Sequence, residues 1–154
     1  MNARLAILIL TAVVAQVFCA STHNPNHEGH SEHSVKEKVL ALSKKCAADN
    51  KVSADQAKLA FTQNLPKDEH ERCYLECVYT GVGVVHSGAF SLDGANKLVA
   101  ARFTNPKEKE AAGQLVSTCA KEITQKGGEK CSLGHTVREC FVRHGKQVDF
   151  FPTA

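Results

Sequence analysis

Apolar residues recur every three or four positions along most of the chain, and no segment alternates between apolar and polar residues as a strand does. This spacing predicts a first helix over residues 35–48. Its start is marked by Ser34 and Glu37, which have the spacing of a capping box. Its apolar face carries Val35, Val39, Leu42 and Cys46.

Capping residues predict a second and a third helix. Ser53 and Gln56 have the spacing of another capping box, and the short helix that they start must end before Pro66. Asp68 is placed to cap the third helix, which runs into the glycine-containing turn at residues 81–83.

Three more helices follow on the same grounds. Residues 92–103 are predicted to form the fourth helix, and Asn105 caps a long fifth helix that ends at the glycines of 127–128. Ser132 is predicted to cap a sixth helix, which ends at Gly145. The chain is therefore expected to be all-α, with six helices in one compact domain.

The N-terminal residues have the composition of a secretory signal. Arg4 precedes an apolar run over residues 5–18, and the small residues Cys19 and Ala20 follow it. This run of about 14 residues is shorter than the roughly 18 that a membrane span needs. We therefore expect a secreted, extracellular protein with three parts: a signal peptide at 1–20, a His-rich flexible tail at 21–33 and a helical domain at 34–154.

Charge excludes one class of partner. The formal net charge of the whole chain is +3, and Lys and Arg are scattered among Asp and Glu. A basic stripe with interleaved aromatic residues, the usual footprint of nucleic-acid binding, is missing from the sequence. No nucleic-acid partner is expected.

Once the signal is removed, six cysteines remain, and an even number in a small exported chain predicts disulfides. Six cysteines allow fifteen pairings. Helix geometry disfavours only a few of them: Cys73 and Cys77 lie on successive turns of one helix, too far apart for a bond between them. Zinc binding by these thiols is a weaker alternative in an oxidising compartment.

The spacing of these cysteines resembles that of the insect odorant-binding proteins. From Cys46 to Cys140 the gaps are 26, 3, 41, 11 and 8 residues, and the 3 and the 8 are nearly fixed in that family. The Cys-Tyr-Leu-Glu-Cys stretch at 73–77 with the Gly-Val-Gly turn after it, and the stretch at 88–93, are also similar to the family.

The resemblance implies more than the residues alone do. It implies disulfides that join the first cysteine to the third, the second to the fifth and the fourth to the sixth: Cys46 to Cys77, Cys73 to Cys131, and Cys119 to Cys140. It further implies an internal hydrophobic cavity and a carrier of small hydrophobic ligands such as odorants, pheromones or related lipids, without a cofactor. A membrane chemoreceptor is a candidate partner, and a monomer or weak homodimer is expected.

Apolar residues of the helical stripes and of the C-terminal tail are the candidates for the ligand pocket. Phe150 and Phe151 stand out among them, because they follow the last helix and relatives fold such a tail over the cavity. The full candidate set is Leu42, Phe61, Val84, Phe90, Leu98, Phe103, Val116, Ile123, Val137, Phe141, Phe150 and Phe151.

Motifs of catalysis are incomplete, so an enzyme is not expected. His70 and Glu71 begin a zinc-protease motif, but Tyr74 stands where the second histidine would be needed. The chain has no Gly-x-Ser-x-Gly elbow, and pairing of the six cysteines leaves no thiol as a nucleophile.

The His-rich tail supports an alternative function. If cleavage follows Ala20, the third residue of the mature chain is His23, and its imidazole with the terminal amine and two backbone amides could bind Cu(II) or Ni(II). His27, His30 and His33 could add ligands. The alternative is therefore a secreted interaction or defence protein that binds metal through this tail, whereas a solvated tail without metal is the interpretation we favour.

Overall fold

The computed structural model describes residues 28–124, 129–148 and 150–151, with the backbone alone for 28–33. The predicted signal peptide at 1–20 lies outside these residues, as does most of the predicted tail. No helix among them is both long and apolar enough to span a bilayer. The elements are α1 (Glu28–Asn50), α2 (Ala54–Ala57), a 3₁₀ helix (Lys58–Phe61), α3 (Glu69–Val82), β1 (Val85–His86), β2 (Ala89–Phe90), α4 (Leu92–Arg102), α5 (Pro106–Glu122) and α6 (Ser132–His144).

The predicted caps of α2, α3 and α5 are confirmed. Ser53 and Gln56 form the reciprocal capping box, with the Ser53 hydroxyl 3.2 Å from the Gln56 amide. The Asp68 carboxylate accepts from the backbone N–H of Glu71 at 2.9 Å. Asn105 accepts from the first turn of α5 in the same way. These caps could be predicted because each is formed by residues at most three positions apart.

The predicted start of α1 is wrong. The helix begins at Glu28 instead of near residue 35, so Ser34 and Glu37 lie inside it. A capping sequence marks the start of a helix only where the residues before it cannot be helical. Gly29 is not enough to prevent this, because a glycine costs a helix only about 1 kcal/mol.

A small hairpin interrupts the helices, and the helical pattern did not predict it. Strands β1 and β2 pair antiparallel, and Ser87 and Gly88 connect them. Both connecting residues have positive φ, 50° and 70°, as the tight turn of a two-residue hairpin requires. The hairpin brings Phe90 against α6, where its ring centroid lies 6.2 Å from that of Phe141.

Helix α6 begins differently from the prediction and lies very close to α3. Ser132 is its first residue and not its cap; the cap position is Cys131, in the left-handed conformation and without a side-chain hydrogen bond. At Gly134 the backbone of α6 contacts the backbone of α3, and an added Cβ would lie 2.0 Å from the carbonyl oxygen of Arg72. The absence of a side chain at this position therefore allows the two helices to touch.

Three disulfides tie four helices together. Cys46 of α1 is bonded to Cys77 of α3, Cys73 of α3 to Cys131 at the start of α6, and Cys119 of α5 to Cys140 of α6. These are the pairs that the family resemblance implies. Because α3 carries two of the six cysteines, it is bonded to two different neighbours and lies at the centre of the fold.

The core surrounds α3, whose Tyr74 and Leu75 are completely buried. The Tyr74 hydroxyl is paired on two sides: it lies 2.7 Å from Ser43 Oγ and donates to the Ala57 carbonyl at 2.6 Å. Two hydrogen bonds satisfy this buried hydroxyl and join α1, α2 and α3.

Candidate functional site

An apolar cavity of about 40 Å³ lies between α1, α3, α4, α6 and the C-terminal tail. On this measure it has room for about three water molecules. Twelve residues line it: Val35, Val39, Ala60, Val78, Tyr79, Val82, Val84, Leu98, Arg102, Phe141, Phe150 and Phe151. Helices that carry disulfides supply half of these residues, whereas α4 and the tail carry no cysteine.

One side of the cavity is a cluster of phenylalanine rings around Phe141. The ring centroids of Phe150 and Phe151 lie 4.5 Å and 6.3 Å from that of Phe141. Phe103 extends the cluster, with its centroid 6.1 Å from that of Phe150. Three of the five ring pairs are edge-on, an orientation that aromatic quadrupoles favour, and the other two are tilted.

Side-chain burial, more than backbone bonding, holds the tail in place. Phe150 and Phe151 are only 5% and 7% exposed. The backbone hydrogen bonds described for this segment are local, from Val148 N to Gly145 O and from Phe150 N to Val148 O. The tail also lies beyond Cys140, the last disulfide-bonded position. Its detachment would therefore break no disulfide and no interhelical backbone bond described here.

Two polar side chains stand on the otherwise apolar wall, Tyr79 and Arg102. Arg102 is 7% exposed, and its guanidinium carbon lies 5.1 Å from the ring centroid of Phe103. Tyr79 is 6% exposed, and burial raises the pKa of its hydroxyl. The charge of Arg138 and the contact of its side chain with the Tyr79 hydroxyl offset this shift only in part. The hydroxyl therefore stays protonated at neutral pH.

Arg138 of α6 lies behind this wall and is completely buried. Its guanidinium donates to two carbonyls, of Leu59 at 2.9 Å and of Thr62. The guanidinium carbon lies 3.9 Å from the ring centroid of Phe151 and 5.8 Å from that of Tyr79. No carboxylate of the described residues forms an ion pair with it, which is unusual for a buried charge.

The structure brings five of the twelve pocket candidates together on the cavity wall: Val84, Leu98, Phe141, Phe150 and Phe151. The other candidates lie in the surrounding core or at its edge and not on this wall. They are Leu42, Phe61, Phe90, Phe103, Val116, Ile123 and Val137. A helical stripe indicates which face is buried, but buried faces surround solid core as well as cavities. Which side chains contact a ligand stays a prediction.

Seven wall residues were not among the pocket candidates from the sequence, although Val35 and Val39 were placed on the apolar face of the first helix. The seven are Val35, Val39, Ala60, Val78, Tyr79, Val82 and Arg102. Val78 and Val82 stand four residues apart in α3, so they share a face. That spacing could have marked them. Arg102 stands in the last turn of its helix, where an arginine is normally solvent-exposed and stabilises the helix dipole, so nothing local indicated its burial.

A second hollow, of about 390 Å³, lies on the surface between α2 and the start of α3. It is larger than the interior cavity but open to solvent, and seven of its nine lining residues are polar or charged. Its lining consists of Asp55, Gln56, Lys58, Leu59, Thr62, Asn64, Leu65, Lys67 and Glu71. An apolar ligand would lose less contact with water here than in the interior.

Among the described residues, one group has the composition of a metal site, Glu122 with Cys140 and His144. The Cys140 sulfur is bonded to Cys119 and is not a thiolate ligand. The Glu122 carboxylate is engaged on both oxygens, by Arg143 at 2.6 Å and by His144 at 2.9 Å. This group is an ionic contact between α5 and α6.

These features define a class: a small helical domain with three disulfides around an apolar interior. The family model of the PBP/GOBP family matches residues 29–144, which is most of the chain. The chain belongs to this family. No curated protein sequence matches it significantly.

Two solved structures share the fold. Odorant-binding protein dmelOBP28a from Drosophila melanogaster is 14% identical, with a TM-score of 0.65, and the match covers 75% of this chain and 96% of that one. Odorant binding protein 5 of Apis mellifera is 18% identical, with a TM-score of 0.60, and the match covers 77% of this chain and 93% of that one. The expected all-α fold is confirmed by both likenesses.

Proposed function

We propose that this protein is a carrier that binds a small hydrophobic molecule in the cavity between α1, α3, α4, α6 and the tail. The observation that carries the proposal is an interior wall made almost wholly of aliphatic and phenylalanine side chains. Such a wall binds an apolar molecule by removing it from water, at about 25 cal/mol per Å² of buried apolar area. Family membership and the printed names of the two structural neighbours support the same conclusion.

The cavity must widen before it holds such a molecule. Its volume of about 40 Å³ is far below the roughly 300–1,000 Å³ of most ligand pockets. We expect the tail to be the side of the wall that moves, because among the described residues only side-chain packing and local backbone hydrogen bonds hold Phe150 and Phe151. A ligand that replaces the contacts of these rings offsets the cost of displacing them.

The proposed setting is extracellular. Three disulfides persist in an oxidising compartment, and the N-terminal sequence has the composition of a signal peptide. In this proposal the protein acts as a monomer or weak homodimer, performs no catalysis, needs no cofactor and delivers its ligand to a membrane chemoreceptor.

A competition assay tests the carrier proposal. N-phenyl-1-naphthylamine is expected to fluoresce more strongly in the presence of the protein, because the probe enters an apolar site. Medium-chain alcohols, esters and fatty acids should then displace it at micromolar concentrations, whereas glycerol and short polar alcohols should not. Probe fluorescence during titration is the measurement. If no apolar competitor in the panel displaces the probe, the carrier proposal is wrong.

The metal-binding alternative depends on the histidine tail. His23 and His27 lie outside the described residues, and His30 and His33 are described by backbone alone. The alternative stays a prediction, and calorimetric titration of Cu(II) into the intact chain and a tail-deleted chain separates it from the carrier proposal.

A further inference from the structure

We propose that Arg138 couples the C-terminal tail to residues 58–62, which we call the partition segment, so that a ligand which displaces the tail also loosens this segment. The partition segment consists of the 3₁₀ helix and Thr62. The inference rests on the carrier function and adds a conformational response to it.

The partition segment separates the interior cavity from the surface hollow. Ala60 belongs to the wall of the cavity, whereas its neighbour Leu59 and the nearby Thr62 line the hollow. Residues next to each other in the chain therefore face two different spaces. A movement of this short segment would change the shape of both.

Side chains from two other helices hold the two ends of the partition segment. The Tyr74 hydroxyl donates to the carbonyl of Ala57, just before the first residue, at 2.6 Å. At the other end, Arg138 donates to the carbonyls of Leu59, at 2.9 Å, and Thr62. A 3₁₀ helix has poor internal hydrogen-bond geometry, and the bond from Thr62 N to Leu59 O is long, at 3.4 Å. The end of the segment therefore depends on Arg138.

The opposite side of Arg138 faces two residues of the cavity wall. The ring of Phe151 covers the guanidinium, with 3.9 Å between the guanidinium carbon and the ring centroid. The Arg138 side chain also contacts the Tyr79 hydroxyl. Phe151 and Tyr79 line the cavity, whereas the completely buried Arg138 does not. The guanidinium thus lies between the cavity wall and the partition segment.

Displacement of the tail would change the surroundings of this guanidinium. The hydrogen bonds to the two carbonyls are strong because no water competes for a completely buried donor. When the Phe151 ring moves away, the guanidinium loses its cation–π contact and becomes accessible from the widened cavity. Water then competes for its N–H groups, and the partition segment opens more often.

Two variants without ligand test the coupling. Phe150 and Phe151 are adjacent in the tail, line the same cavity and are 5% and 7% exposed, but Phe151 is the one whose ring lies over Arg138. Phe151→Leu is expected to speed amide hydrogen exchange in the partition segment at least about threefold, because the cation–π contact is lost. Phe150→Leu should change it less than about half as much. Mass spectrometry of exchanged peptides is the measurement, and equal exchange in the two variants would overturn the coupling.

A ligand should produce the same response in the wild-type protein. At saturating dodecanol, amides of residues 74–79 in α3 should exchange more slowly, because a bound ligand stabilises the fold. Amides of the partition segment should instead exchange at least about threefold faster. Slower or unchanged exchange in the partition segment, with dodecanol bound, would contradict the coupling and leave the carrier proposal intact.

Arg138→Met removes the coupling residue without changing the cavity wall. Dodecanol should still displace N-phenyl-1-naphthylamine from this variant, but it should no longer speed exchange in the partition segment. A response equal to that of the wild type would show that Arg138 does not transmit it. If no apolar competitor displaces the probe even from the wild type, the carrier proposal fails, and the comparison of Phe151→Leu with Phe150→Leu still decides the coupling.

Discussion

Replacement of Cys73 and Cys131 by alanine is expected to lower the free energy of unfolding by about 4 kcal/mol. The bond between them spans 58 residues, the longest separation among the three disulfides. Its loss frees the unfolded chain, and the entropy of that freedom grows with the length of the closed loop. The value is an upper figure, because the loops interlock and do not act independently. Urea unfolding followed by far-UV circular dichroism is the measurement.

The pair Cys46 and Cys77 provides the control. It too combines one buried and one less buried cysteine, but its separation is only 31 residues. Its double alanine variant should therefore lose about half a kcal/mol less than the Cys73–Cys131 variant does. In both variants the dependence of stability on urea should steepen, because the unfolded chain exposes more surface. A loss below about 1 kcal/mol in either variant would contradict the disulfide framework.

Phe141→Ala is expected to cost about 4 kcal/mol of stability and to change which ligands the protein accepts. Phe141 is buried, contacts the Phe90, Phe150 and Phe151 rings and forms part of the cavity wall. Its removal costs both the transfer of the ring and the cavity left behind. The enlarged cavity should bind bulkier competitors than the wild-type cavity does, and a bound ligand should restore part of the lost stability.

Val137→Ala is the control for Phe141→Ala. Val137 stands on the same helix and is completely buried, but it does not belong to the cavity wall. Its replacement should cost about 2 kcal/mol and leave the size limit of the ligands unchanged. Thermal unfolding with and without competitors, together with probe displacement, measures both effects. An unaltered size limit in Phe141→Ala would place the ligand outside this cavity.

Much of the helical architecture was readable because its signals are local. Ser53, Asp68 and Asn105 each cap a helix through residues two or three positions away, so the sequence alone contains both partners. The start of α1 was missed because Ser34 and Glu37, although spaced as a capping box, are also compatible with positions inside a longer helix. The hairpin was missed because its two strands have two residues each, too few for a period to appear.

The candidate site was less predictable than the helices. Phe141, Phe150 and Phe151 were found by their apolar character, yet their apolar character could not separate them from Val116 and Val137, which are solid core. A cavity depends on how several helices pack together, so the sequence of one helix does not show whether its buried face lines a cavity.

The polar part of the site was invisible for a different reason. Arg138 is buried because carbonyls of Leu59 and Thr62, more than 70 residues away, accept its hydrogen bonds. The sequence around position 138 therefore gives no sign of these hydrogen-bond partners. Tyr74 and Tyr79 likewise look equivalent in sequence, and only the structure shows that the Tyr74 hydroxyl bonds to Ser43 and Ala57 whereas Tyr79 lies beside Arg138.

The location of a bound ligand tests the central claim most directly. In protein with ¹³C-labelled methyl groups and saturating dodecanol, we expect intermolecular nuclear Overhauser effects between the alkyl chain and the methyl groups of Val78 and Leu98 on the cavity wall. Leu65 in the surface hollow should show none. Contacts to Leu65 without contacts to Val78 and Leu98 would contradict the account.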